Sequence, residues 1–150
     1  MSQPSITEAD LVALIERVSQ AAGAYIRGDL RRYLTLIRHA DDYTLMAPYG
    51  GPVTRGFDAS PERLEATART FQGGEATLEV DAAYSSGDLA VLVGVERQYG
   101  RVGGLPDQDW SLRVTLIFRR EETSWRLVHR HADPLVHAIP LDQLAALARG

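Results

Sequence analysis

Two periodicities divide the chain. Over the first third, apolar residues recur every three or four positions; over most of the second half they recur at every second one. Leu11, Leu14, Ile15, Val18, Ala22 and Tyr25 form one stripe, which predicts an amphipathic helix over 5–26. Ser5 with Glu8 offers a capping box at its start, and Thr7 with Asp10 a weaker one. Gly28-Asp29 breaks this helix and caps a second, with Leu30, Tyr33, Leu34 and Ile37 on one face. DDYTLMAP (41–48) predicts a short strand, and YGGPVTRG (49–56) a glycine-rich connection. At Ser60-Pro61-Glu62 a serine cap, a first-turn proline and an acid suited to the helix dipole open a third helix. It is expected to run to about Gln72 and to end at Gly73-Gly74.

The alternation that follows predicts a hairpin around Ser86-Gly87. Leu78, Val80, Ala82 and Tyr84 lie on the apolar side of its first strand, opposite Leu89, Val91, Val93, Val95, Arg97 and Tyr99. After the loop RVGGLPDQD come a long strand WSLRVTLIFRR, a tight connection EETS and a last strand WRLVHRHADPLVH. Pro140 opens a short C-terminal helix carrying Leu141, Leu144, Ala145 and Leu147. Helices first and an antiparallel meander second predict an α+β fold in one domain over 1–150, with three N-terminal helices packed on a strongly curved sheet. A curled sheet closed by helices makes a cone with an internal cavity, a natural ligand site.

Composition narrows the chemistry. A net charge of −4 with interspersed signs argues against a nucleic-acid partner. The absence of cysteine excludes disulfides and thiol chemistry, and the absence of lysine excludes Schiff-base chemistry. MSQPSITEAD does not read as a signal peptide, and no apolar run has membrane-spanning length. A cytoplasmic protein with no membrane partner is expected.

The segments GDLRRY (28–33), SGDLAVLV (86–93), QYGRVGGLP (98–106) and FRREETSWRLVHRHAD (118–133) span nearly the whole chain. With the helix-then-meander order, they resemble the nuclear transport factor 2-like superfamily in its SnoaL-like branch. They are most similar there to the association domain of calcium/calmodulin-dependent protein kinase II and its bacterial relatives. The resemblance implies the cone fold, a homo-oligomeric habit and a polar pocket. It does not imply one reaction, because the fold hosts many. It also implies pocket arginines at positions that match Val95, Thr115 and Ala132, and in SnoaL-like cyclases an aspartate at Ala132. None of these is present.

Arg97, Arg113 and Arg130 stand nearby instead, so a basic pocket with Tyr99 is expected to suit a carboxylate or other anion through forked hydrogen bonds. Tyr49 and Trp110 are expected at the cavity mouth. His129 and His131 share one strand face. As metal ligands they need a third and fourth partner; Asp133 and His137 are nearby candidates and His39 is distant, but no Glu follows in ADPLVH, so no metal or other cofactor is expected. As bases either has a suitable ordinary pKa. Hydrogen bonding at the strand end or in a dimer interface is the plainer role. With Tyr99 they are the catalytic candidates. An EETS turn sets Ile117 opposite Val128 and Arg113 opposite Ala132. Either the Trp125/Leu127/His129/His131 set or the Arg130/Ala132 set then lines the cavity at a given height, unless a bulge switches them. The expectation is a small-molecule ligand in a homodimeric cone. Isomerase, cyclase or hydratase use stays open, as does a non-enzymatic oligomerisation or ligand-sensing role.

Overall fold

The helix α1, Glu8–Ile26, starts at Thr7, whose hydroxyl accepts from the Asp10 backbone N–H at 3.1 Å, with Glu8 and Asp10 in the positive first turn. The weaker of the two capping patterns is therefore the one used, while the Ser5 hydroxyl accepts from the Gly87 N–H. These features belong to a computed structural model that describes residues 4–150, so the first three residues of the MSQPSITEAD start lie outside the described residues. Leu14, Val18, Ala21 and Ala22 give α1 its buried face. Gly28, at φ +73°, ends the turn after it in a left-handed conformation that a side chain would strain. A Cβ there would also meet the Phe71 carbonyl at 2.5 Å, so the bend sits directly on the sheet.

Asp29 caps α2 (Leu30–Leu36), and Ser60 with Pro61 opens α3 (Pro61–Thr70). The strands are β1 (His39–Met46), β2 (Thr54–Arg55), β3 (Phe71–Ser86), β4 (Leu89–Val102), β5 (Gln108–Asp109), β6 (Leu112–Glu121) and β7 (Ser124–Asp133). The last helix is α4 (Leu141–Arg149). Gly73-Gly74, expected to end α3, lies inside β3 instead; both glycines have positive φ. The sheet runs β2-β1-β7-β6-β4-β3, with β5 paired to β4. All pairings are antiparallel except β1 with β7, so the expected antiparallel sheet is a mixed one. Among the described residues no helix is long and apolar enough to cross a membrane.

Register shifts interrupt β1 between His39 and Thr44 and β3 between Phe71 and Gly74, and two further ones bend the middle of the sheet. At the β6–β7 turn the register is the expected one, with Phe118 opposite Leu127; beyond it Ile117 faces His129, leaving Val128 as an extra residue. In the β3–β4 hairpin Ala82 faces Val93 as expected, but Val80 faces Gly94, so Asp81 is extra. Each bulge bends its strand and increases the twist. Gly94 lies beside the second bulge, where a Cβ would overlap the Glu79 carbonyl oxygen, so only glycine lets the strands approach this closely.

The inner face is set by Ala90, Leu92, Val114, Leu116, Phe118 and Leu127, all buried against α1 with Leu14 and Val18. The Leu78 N–H donates to the Ser19 hydroxyl at 3.0 Å and ties β3 to α1.

Candidate functional site

Between α1, α2 and the inner face of the sheet lies a cavity of about 490 Å³, within the ordinary range of small-molecule sites. Its walls are mainly apolar: Val18, Ala22, Leu45, Phe71, Leu112 and Leu116 among them. Tyr49, 83% exposed, stands at the mouth with Pro48, Trp110 and Pro134. Trp110 donates its indole N–H to the Gly100 carbonyl at 3.1 Å, which leaves the ring an apolar wall. Gln98 secures the same rim, its side-chain amide donating to the Trp110 carbonyl at 2.9 Å.

The polar centre is an ion pair. Both terminal nitrogens of Arg130 donate to the two carboxylate oxygens of Glu96, each at 2.7 Å. The Glu96 side chain is 6% exposed and that of Arg130 22%. Burial works against the charge on Arg130, but the attraction and hydrogen bonds of Glu96 outweigh it and raise the guanidinium pKa above its ordinary value. Tyr25, Tyr33 and Tyr43 surround the pair. Burial raises the phenols of Tyr25 and Tyr33 and pushes Tyr43 up to about 12, so all three stay protonated as hydrogen-bond donors.

Behind Tyr33 stands His39, the first residue of β1. The Tyr33 hydroxyl lies 3.1 Å from His39 Nε2. Phe57 stacks flat on the imidazole at 3.9 Å between ring centres, and Tyr43 meets it edge-on at 4.7 Å. Burial lowers the His39 pKa to about 4, which keeps the ring neutral. His39 also borders a separate, shallow hollow on the far side of this wall, with Arg38, Asp41 and Gly56.

Of the residues singled out in the sequence, the fold brings Arg130, Tyr49 and Trp110 to the cavity. Arg97, Tyr99 and Arg113 it does not bring there. On β4 the inner positions are Ala90, Leu92, Gly94, Glu96 and Gln98, and the intervening residues point outward. Arg97 pairs with Glu79, and Arg113 binds Asp133 through two bonds of 2.8 Å. Val95 and Thr115 alternate with inner residues and lie on this outer side too, whereas Ala132 is buried. His129 faces outward opposite Ile117, its Nδ1 lying 2.8 Å from the Thr44 hydroxyl, and His131 is exposed. Among the described residues no group of three His, Asp or Glu side chains converges as a metal site would require.

Sequence reasoning missed Glu96, His39 and Phe57. The signal for Glu96 was its phase: it alternates with Leu92 and Gly94, and glycine inside a strand marks close approach to a neighbour. His39 carried no such signal, because its partner comes from α2 and its stacking ring from the loop before α3.

The chain matches known proteins along most of its length. The family model of the SnoaL-like domain matches residues 14–136. An NTF2-like protein of unknown function from Shewanella oneidensis is 20% identical, with 83% of this chain and 97% of that one covered at a TM-score of 0.59. A chain from Xanthomonas campestris, provisionally assigned as a calcium/calmodulin-dependent protein kinase II association domain, is 17% identical, with 89% and 91% covered and a TM-score of 0.59. A domain of unknown function with a cystatin-like fold from Nostoc punctiforme is 16% identical, with 96% and 86% covered and a TM-score of 0.66. A search of curated proteins finds no match. The structural likenesses establish the fold, the family match covers well over half of the chain, and the protein therefore belongs to the SnoaL-like domain family.

Proposed function

We propose that the cavity binds a small, uncharged, largely apolar organic molecule with one hydrogen-bonding end, a hydroxyl or carbonyl, set among Tyr25, Tyr33, Tyr43 and the Glu96–Arg130 pair. The carrying observation is that pair. Arg130 would attract an anion if it stood alone, but both of its terminal nitrogens are already engaged by Glu96. An entering carboxylate would meet the Glu96 carboxylate or displace it, and a buried, unpaired charge is costly either way. The apolar walls favour burial of rings or alkyl groups. A neutral ligand therefore fits the site better than the anion that the arginines of the sequence suggested.

Calorimetric titration of 2-naphthol against 2-naphthoate tests this. The naphthol is expected to bind, the naphthoate about tenfold more weakly or worse, a difference of about 1.4 kcal/mol. Leu112→Trp, which fills the cavity, is expected to abolish naphthol binding while the protein still unfolds cooperatively. Tighter binding of the naphthoate, or unchanged naphthol binding in Leu112→Trp, would overturn the reading.

A second reading, assembly, is favoured by the outer face of the sheet. Val91, Val93 and Val95 on β4 and Ile117 on β6 are only half-buried there, beside exposed Leu89 and Tyr84. We infer a homodimer packed through this face, in which an apolar sheet surface is withdrawn from water. Sedimentation equilibrium is expected to give twice the chain mass, and the mass of one chain would rule the dimer out.

A further inference from the structure

The geometry points to a proton relay through the cavity wall, in which Tyr33 on the cavity side and His39 on the outer side carry a proton between a ligand hydroxyl and solvent. It rests on the cavity being a ligand site and adds what that site does to its ligand. Three observations carry it. Tyr33 lines the cavity, and His39 lines the separate hollow beyond the wall. The Tyr33 hydroxyl and His39 Nε2 are 3.1 Å apart, within proton-transfer reach. The imidazole is clamped between Phe57, stacked 6° from parallel, and the edge of Tyr43, so its orientation toward Tyr33 is fixed. A histidine needed only to fill this wall would not need to pair with a phenol and also border a second hollow.

The transfer balances without any other reactant. His39 starts neutral, with its proton on Nδ1 and Nε2 accepting from Tyr33. The ligand O–H gives its proton to the Tyr33 oxygen as the Tyr33 O–H proton moves to Nε2. The imidazolium so formed releases its Nδ1 proton to water in the hollow. The ligand is left as a transient oxyanion and one proton has reached solvent; because the site penalises a lasting anion, the reverse sequence promptly reprotonates it. Burial raises the Tyr33 phenol and lowers His39 to about 4, so neither group holds charge for long and the proton passes through. The competing acceptor is Glu96, which lines the cavity but has both oxygens bound by Arg130.

The test uses 2-naphthol, a much stronger acid in its excited state, whose neutral and anionic forms fluoresce at different wavelengths. Bound to the unaltered protein it is expected to emit in part as naphtholate. Tyr33→Phe and His39→Gln are each expected to cut that share about tenfold, while calorimetric affinity in His39→Gln, a residue outside the cavity lining, stays within about threefold. Binding with neutral emission only, or naphtholate emission that survives in both Tyr33→Phe and His39→Gln, overturns the relay and leaves the binding site standing. Emission lost in Tyr33→Phe but kept in His39→Gln assigns the proton to another acceptor and likewise overturns it. Failure of 2-naphthol to bind at all removes the ligand site, and the relay with it.

Discussion

Arg130→Ala is expected to destabilise the protein by about 3–5 kcal/mol, the cost of leaving one member of a buried ion pair alone. The loss would come from Glu96 rather than from the missing arginine. Its carboxylate would keep a side chain only 6% exposed and lose two hydrogen bonds of 2.7 Å. The phenols around it raise their pKa on burial and cannot supply a compensating positive charge. Urea unfolding of the variant at neutral pH measures the effect. The double variant Arg130→Met, Glu96→Leu is expected to recover most of it, because replacing a buried pair with apolar groups of similar volume is often neutral or better. A loss below about 1 kcal/mol in Arg130→Ala would mean that water in the cavity solvates the carboxylate, and the pair would then no longer count as a buried one.

Stability is also expected to fall as the solution is acidified from pH 6.5 toward 4. His39 has a folded pKa of about 4 against an ordinary 6.5, the result of burial. Between those values the unfolded chain binds a proton that the folded chain excludes, so stability rises with pH across the window and the contribution is lost in full below it. At about 1.4 kcal/mol per unit the loss reaches about 3 kcal/mol. Asp42 and Asp133, salt-bridged to arginines, and Asp58 and Asp109, which accept backbone N–H bonds from Ser60 and Ser111, are all lowered from 3.8, so their own losses begin only as this window closes. Urea titrations at several pH values should show the slope in the unaltered protein and little of it in His39→Gln. Parallel curves for the two proteins would show that the imidazole is not held neutral.

Local chemistry made much of this fold legible. Thr7 and Ser60 cap helices where their hydroxyls promised to, and the turn at Glu122 gives the expected register as far as Phe118 opposite Leu127. Legibility ended where one residue changes phase. A bulge has no residue type of its own, and nothing in LVHRH marks Val128 as the extra position. The apolar set Trp125/Leu127 and the polar set Arg130/Ala132 were rival linings in the sequence; in the structure each occupies its own height. The expectation for Arg97 and Tyr99 failed differently: β4 alternates without a break, and the face that Val91 and Val93 share with Arg97 and Tyr99 is the outer one, while Glu96 belongs to the inner one. The parallel pairing of β1 with β7 was invisible for another reason. Thr44 and His129 meet across 85 positions, and no local pattern announces such a partner. The Tyr33–His39–Phe57 stack is likewise assembled from three separate segments.

The extra residue in β7 has a consequence for redesign. Without Val128 the strand would return to strict alternation, yet Leu127 and Arg130 would still point inward and His129 outward. What would go is the bend. Loss of that one codon would therefore alter the width of the cone while sparing the groups that line it, whereas exchange of Arg130 does the reverse. Pocket size and pocket polarity are separately adjustable in this strand, the first through its length and the second through its residues.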